Sequence, residues 1–348
     1  MNRLVFVIGV LCFLVPLAAL ADTPIAARVG EDAISVGEVR HELKVVLGER
    51  ALGEEERKVV EAQTLGLLIN RQLVVRFLEQ KKMGASENDI NQSIDDFKKK
   101  LAQQKKTFAE HLQALNLSEP EFRRLLAWEL GWPKYVTAKY TDKNLNAYFL
   151  NYRRHFDGTK LQVRHILLKV PANADNAAVK TAAEQAVKIR EEITSGKISF
   201  DEAAKKYSQA ATAPQGGDLG LISRHAPMPP SFNDAAYDLK SGETSGPVVT
   251  NFGVHLIHCV REEKGSLTLA NPEVDKAVRE EMVRYLFNLI AEMGRKEKKI
   301  VFTGAMPYLK PGSNELVTTG ETAETELEPK PVAPAPKTPE AEKKSEKK

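Results

Sequence analysis

The sequence predicts an α+β fold, with an antiparallel sheet surrounded by helices inserted into a mainly α-helical domain. Three observations carry this expectation. Two short β-prone runs, 163–169 and 252–257, each hold one histidine, and helical periodicity separates them. Residues 35–130 repeat apolar side chains at spacings of three and four. A late stripe at Val274, Val278, Met282, Tyr285, Leu289 and Met293 forms one long apolar helical face that must be buried.

The elements follow in order. Residues 26–35 read as a tight hairpin about Gly30-Glu31-Asp32. Ser35 with Glu38 forms a capping box that starts a helix carrying Val36, Val39, Leu43 and Val46. A longer helix sets Leu65, Leu68, Ile69, Leu73 and Phe77 on one face and stops before Gly84. Ser86 with Asp89 caps the next, whose face is Ile90, Ile94, Phe97 and Leu101; further helices are expected over 108–115 and 119–130. A strand over 163–170 precedes a helix over 177–194, ended by Gly196. Ser199 with Glu202 caps a short helix to about Tyr207. Gly216-Gly217-Asp218-Leu219-Gly220 suits a turn that needs permissive backbone before re-entering the sheet. Met228-Pro229-Pro230-Ser231-Phe232 opens another short helix, and 248–250 with 253–260 forms a final hairpin. Asn271 and Pro272 cap the helix that carries the late stripe. Ile300-Val301-Phe302 is then expected to pair with Arg28-Val29.

At 348 residues the chain holds enough material for two domains. A net charge of only +3, with both signs intermixed, argues against nucleic acid as a partner. No P-loop or zinc-finger spacing occurs, and His41-Glu42 is not continued into H-E-x-x-H. Residues 1–21 read as an export signal: Arg3, an uncharged apolar run over 4–20, and Ala19-Leu20-Ala21 before Asp22. Cys12 lies inside that run, so cleavage leaves Cys259 alone, without an intrachain disulfide and read as a small core residue. No stable membrane insertion is expected after cleavage. Residues 318–348, rich in Glu, Lys and Pro, cannot offset their ordering entropy and are expected to be a disordered tail.

The two histidine-bearing runs, with Gly216-Gly217-Asp218-Leu219-Gly220 between them, resemble the parvulin, PpiC-type family of peptidyl-prolyl isomerases over residues 160–262. The opening hairpin and capped helix resemble the N-terminal chaperone domain of the SurA/PrsA-like class. That class implies a discontinuous layout: signal 1–21, helical domain 22–157, isomerase domain 158–264, a helix and strand over 265–317 returning to the helical domain, and a tail over 318–348. By motif position the resemblance implies paired histidines at His165 and His255, with Thr250 as their hydroxyl partner. It also implies a proline pocket of Leu219, Met228 and Phe232, with Phe252 at the rim. His258, of opposite strand parity to His255, is read as peripheral. Many relatives carry Cys or Asp where Ala210 stands, two residues after Ser208, and alanine removes a polar catalytic group. The loop after Lys169 has no arginine cluster, so no phosphate before proline is required.

The resemblance therefore implies an exported, periplasmic isomerase and folding chaperone for unfolded or partly folded polypeptides. It needs neither cofactor nor metal, and its oligomeric state stays open. A holdase with a weakly active or inactive isomerase domain is the alternative, supported by Ala210; a scaffold role for the helical domain is the third. The mature chain is expected to begin at or near Asp22. N-terminal sequencing of the exported form checks this, and an intact Met1 in a membrane fraction would identify an anchor instead.

Overall fold

The computed structural model describes residues 24–48, 50–171, 176–310, 315–318 and 320–325. The expected signal over 1–21, with Cys12, and the tail beyond Thr325 lie outside the described residues. In chain order the first elements are β1 (Ile25–Val29), β2 (Asp32–Ser35), α1 (Val36–Leu47), α2 (Glu54–Gln80), α3 (Glu87–Gln103), α4 (Phe108–Leu115) and α5 (Glu119–Lys139). Then come α6 (Asp142–Asn151), α7 (Arg153–Phe156), β3 (Lys160–Lys169), α8 (Asn176–Thr194), α9 (Phe200–Tyr207), β4 (Asp218–Ser223), α10 (Pro230–Asp238), β5 (Val248–Thr250) and β6 (Gly253–Glu263). The last are α11 (Pro272–Glu297), β7 (Ile300–Phe302), β8 (Tyr308–Leu309), β9 (Leu316–Val317) and β10 (Ala323–Thr325).

Two compact units divide these elements. The described residues up to Thr137 and from Phe287 onward form the first unit, and those from Ala138 to Leu286 the second. In the first, an antiparallel sheet runs β10-β7-β1-β2. Val29 pairs with Ile300 and Arg28 with Val301, so the two ends of the described chain meet in one ladder. Beneath it Val29, Ile34, Val39, Leu65, Ile69, Leu73, Ile300, Phe302 and Tyr308 share a core. Ser35 and Glu38 close the expected capping box on α1, and Ser86 with Asp89 does the same for α3. One charged pair is largely withdrawn from water here: Arg71 donates to both carboxylate oxygens of Glu42, at 2.7 and 2.8 Å.

The second unit holds the sheet β4-β3-β6-β5. Its two faces are both covered. Ile166, Leu168, Val254 and Leu256 pack against Ala186 and Ile189 of α8 and Phe200 of α9. Residues of opposite parity, Leu161, Val163, Ile257 and Cys259, pack against Phe232, Ala236 and Tyr237 of α10. Cys259 is fully buried there. No helix among the described residues is long and apolar enough to cross a membrane.

One expectation requires correction. The tail expected to be disordered from 318 includes a strand: β10 pairs antiparallel with β7, Ala323 opposite Phe302 and Thr325 opposite Ile300. An open sheet edge has unpaired backbone groups, and three residues of modest propensity suffice to cover it. The late apolar stripe packs on helices that lie within 22–157, the range expected for the helical domain, and the boundary between the two compact units falls inside it. Val274, Val278 and Met282 bury with Leu145 and Phe149 of α6 inside the second unit. From Phe287 onward α11 belongs to the first unit, where Phe287 meets Trp128 and Trp132 edge-on at 5.7 and 5.9 Å. Met282→Ala is expected to destabilise the second unit by about 2–5 kcal/mol, the usual cost of emptying a methionine site in a packed core. Urea denaturation followed by tyrosine fluorescence checks this.

Candidate active site

β3 and β6 run antiparallel with Leu167 opposite His255 and His165 opposite Ile257. His165 and His255 are therefore diagonal neighbours and point to the same sheet face, the one covered by α10. Their rings stack at 5.5 Å between centroids, and the two Nδ1 atoms lie 3.3 Å apart. Phe232 of α10 stands edge-on to both, at 5.9 Å from His165 and 5.4 Å from His255. Its side chain is 1% exposed, so it forms the floor beneath the pair. Leu219 and Met228, both half-buried, pack on the same cluster.

Backbone close approach makes this arrangement possible. His165 N–H donates to the Gly217 carbonyl at 2.9 Å. Gly217 has φ +76°, and a Cβ there would lie 2.1 Å from the His165 carbonyl oxygen. Gly253, at φ +131°, is pressed as closely on Leu168, whose oxygen would be 2.2 Å from a Cβ. Neither position accepts a side chain without moving a sheet strand.

Beyond the point where β4 leaves β3, the loop after α9 takes over the strand edge. Ser208 Oγ accepts from Leu167 N–H at 3.1 Å, and Gln209 Oε1 from Lys169 N–H at 2.6 Å. This brings Thr212 over the site, with its Oγ1 3.1 Å from His165 Nε2. On the far side Thr250 Oγ1 lies 2.9 Å from His255 Nε2. One proton order, assigned from the partners, satisfies the whole row. Thr212 donates to His165 Nε2, His165 Nδ1–H to His255 Nδ1, and His255 Nε2–H to Thr250. Thr250 Oγ1 also accepts from Phe252 N–H at 3.1 Å, leaving its own hydrogen for the Gly253 carbonyl at 3.4 Å.

The expected residues thus fall into three groups. His255 touches His165, Phe232 and Thr250, and His165 also touches Phe232; Leu219 and Met228 line the apolar side. Phe252, 56% exposed, sits on the β5–β6 turn with only its backbone tied to Thr250. Ala210 lies in the loop before Thr212, its N–H donating to Ser208 Oγ at 3.3 Å, and it adds no polar side-chain atom. Thr212 escaped sequence reasoning, because a lone threonine in a loop carries no signature until the loop is seen against β3. His258 lies on the opposite face, stacked on Phe200 and bonded to Thr244 Oγ1 at 3.0 Å.

The site is uncharged. Burial, reinforced by the facing His165 ring, pushes the His255 pKa down to about 4. Burial lowers that of His165 as well. An unfolded His255 would titrate near 6.5, so between pH 6.5 and about 4 the unfolded chain binds a proton that the folded site refuses. Stability is therefore expected to fall as pH drops through that window and to be fully present above it. Denaturant midpoints at pH 7.5, 5.5 and 4.5 check this, and the slope should be shallower in His255→Asn.

Comparison with known proteins identifies the family of this region. A family model described as the PPIC-type PPIase domain, a rotamase, matches residues 165–261. A foldase protein PrsA of a Geobacillus species is 31% identical over 220 residues, covering 62% of this chain and 71% of that protein. The chaperone SurA of Cupriavidus metallidurans is 39% identical over 132 residues, 36% of this chain and 25% of that one. The chain thus spans about a quarter of the length of that SurA relative. A solved PpiC-type peptidyl-prolyl cis-trans isomerase domain aligns with 32% of this chain and 99% of its own, at 27% identity and a TM-score of 0.29. With a PPIC-type domain at its centre and a foldase relative matched over most of its length, the chain belongs to the SurA/PrsA class of parvulin-type peptidyl-prolyl isomerases.

Proposed function

We propose that this chain is a peptidyl-prolyl cis–trans isomerase and folding chaperone for unfolded or partly folded exported polypeptides, working in the periplasm. The observation that carries the reading is the pair of uncharged histidines held over the buried Phe232 ring. The relatives named foldase and chaperone support the client class. The expected domain division, 22–157, 158–264 and 265–317, belongs to the same proposal.

Rotation about an X-Pro amide faces a barrier of about 18–20 kcal/mol, because the twisted amide loses its resonance. No covalent step is needed; the site has only to hold the twisted form better than either planar one. Leu219, Met228 and Phe232 clamp the pyrrolidine ring, and Phe252 shields it from water. Twisting concentrates lone-pair density on the imide nitrogen and changes the charge on the carbonyl oxygen. The Thr212–His165–His255–Thr250 row fixes dipoles around that change without reorganising during it. Both imidazoles stay neutral at pH 7, so they orient and polarise rather than exchange protons with solvent. The absence of an arginine cluster after Lys169 supports action on unphosphorylated sequences.

Ala210 favours a second reading, in which the pocket binds proline segments but turns them over slowly. Protease-coupled isomerization of unphosphorylated Ala-Pro peptides by the full chain separates the two. Turnover above background is expected. Phe232→Ala should lower it, chiefly through KM, and His255→Ala should lower kcat. Ala210→Asp should raise the rate by about tenfold or more, the scale of a single polar contact to a transition state. No turnover in the parent chain or in Ala210→Asp would leave the binding-only chaperone in place of the enzyme.

A further inference from the structure

We propose that Asn233 is a positioning residue of the proline pocket: by clamping the loop that carries Met228, it sets the ring size that the pocket accepts. The proposal rests on the reading of Leu219, Met228 and Phe232 as that pocket, and it deepens that reading by naming the group that fixes one wall.

Met228 sits on the stretch 224–229 that joins β4 to α10, and this stretch belongs to neither helix nor strand. His225 and Pro227 within it are exposed, and Pro227 and Pro229 have no N–H to bond with. Met228 N–H turns back to the Ala226 carbonyl at 2.7 Å. Asn233 closes the bend from inside. Its Nδ2 donates to the Ala226 carbonyl at 3.0 Å and to the Met228 carbonyl at 3.4 Å. Those two carbonyls flank Pro227, so one amide group, with its two hydrogens, fixes both sides of the bend. Two acceptors in front of the amide also assign its orientation, nitrogen toward the loop. The residue is only 5% exposed, and its Oδ1 is buried with no partner among the described residues. A leucine would fill the same volume without leaving an acceptor unbonded. Packing therefore does not account for an amide at this position; its donor end does.

The clamp stands in the same helical turn as the floor of the pocket. Phe232, under the histidine pair, precedes Asn233 directly. On its other side in sequence, Ser231 Oγ donates to the Val249 carbonyl at 3.1 Å and ties this turn to β5, the strand of Thr250. Arg224, where the loop leaves β4, pairs with Asp234. Residues 231–234 thus hold β5, the pocket floor, the Met228 bend and the start of the loop in one frame. The frame matters because of what methionine is. An unbranched side chain with three rotatable bonds fills whatever gap its backbone leaves. Met228 becomes a wall of defined position only where its backbone is fixed. An apolar pocket of fixed width distinguishes ligands that differ by one methylene by about tenfold or more. Pipecolic acid, the six-membered homologue of proline, differs by one methylene and reads that width directly.

The test measures catalysed cis–trans exchange by NMR in two unphosphorylated tetrapeptides, one with Ala-Pro and one with Ala-pipecolyl, using the full chain and its Asn233→Leu, Met228→Ala and doubly substituted forms. Asn233→Leu is expected to lower the ratio of the two kcat/KM values about threefold or more. The loss on Ala-Pro should lie in KM, with kcat within about twofold of the parent, because the histidine row is untouched. In the Met228→Ala background the same substitution should change the ratio no further, since the wall it positions is gone. A lowered melting temperature with an unchanged ratio, while Met228→Ala alone changes it, overturns the proposal and leaves the pocket reading intact. An equal effect of Asn233→Leu with and without Met228 also overturns it, because the effect then does not pass through that wall. If Met228→Ala and Phe232→Ala both leave the ratio and KM unchanged, the pocket reading fails and takes the proposal with it. Should Asn233→Leu not fold, hydrogen exchange in the parent chain decides. Asn233 Nδ2 protons are expected to exchange far more slowly than those of the exposed Asn251, and exchange at the rate of Asn251 overturns the clamp.

Discussion

The register between β3 and β6 is the constraint on which the site depends. With Leu167 opposite His255, the two histidines become diagonal neighbours on one face. A slip of one residue would turn every side chain of one strand over, sending its histidine into the apolar layer under α8 and α9. Burial of Ile166, Leu168, Val254 and Leu256 in that layer opposes the slip, because each would have to exchange places with a polar or differently shaped neighbour. The register in turn requires two backbones to come closer than a side chain permits, at Gly217 beside His165 and at Gly253 beside Leu168. The core of the sheet, its glycine turns and the imidazole pair are thus a single geometric solution.

That solution produces a site of low charge and high order. Each imidazole nitrogen has a partner, and the row ends on the hydroxyls of Thr212 and Thr250, the second of which also accepts from Phe252 N–H. A buried polar network of this kind is stable only when every member is satisfied, and it then holds its dipoles in place. Amide rotation asks for nothing more reactive. It benefits from a fixed field and a dry, apolar cradle, which a charged or mobile histidine would weaken.

Much of this was legible from residues because the relevant chemistry is local. Ser35 with Glu38, Ser86 with Asp89 and Ser199 with Glu202 each satisfy helix-end amides within four residues, and all three boxes are present. The β1–β2 hairpin and the pairing of 300–302 with 28–29 were readable from short runs of matching propensity. What escaped was decided at long range. Thr212 becomes a partner of His165 only because Ser208 and Gln209 bond the free edge of β3. The stripe on α11 announces that a face is buried but not by what, and its division at 286/287 depends on α6 lying alongside the first half. β10 has no apolar pattern at all; it exists because β7 offers an unfilled edge.

The sheet that joins β1 to β7 also sets the order in which the molecule can assemble. Val29 cannot find Ile300 until nearly the whole intervening chain has been made and delivered. The second unit, by contrast, is one continuous stretch from Ala138 to Leu286 and can close as soon as it emerges. Contacts between such distant residues are slow to form, since the entropy of closing the loop is lost before any contact compensates it. Folding the middle first shortens the free chain between the two ends and lowers that loss. A chain read from its N-terminus therefore matures from the inside outward: the centre condenses early, and the helical unit waits, incomplete, for its last strands.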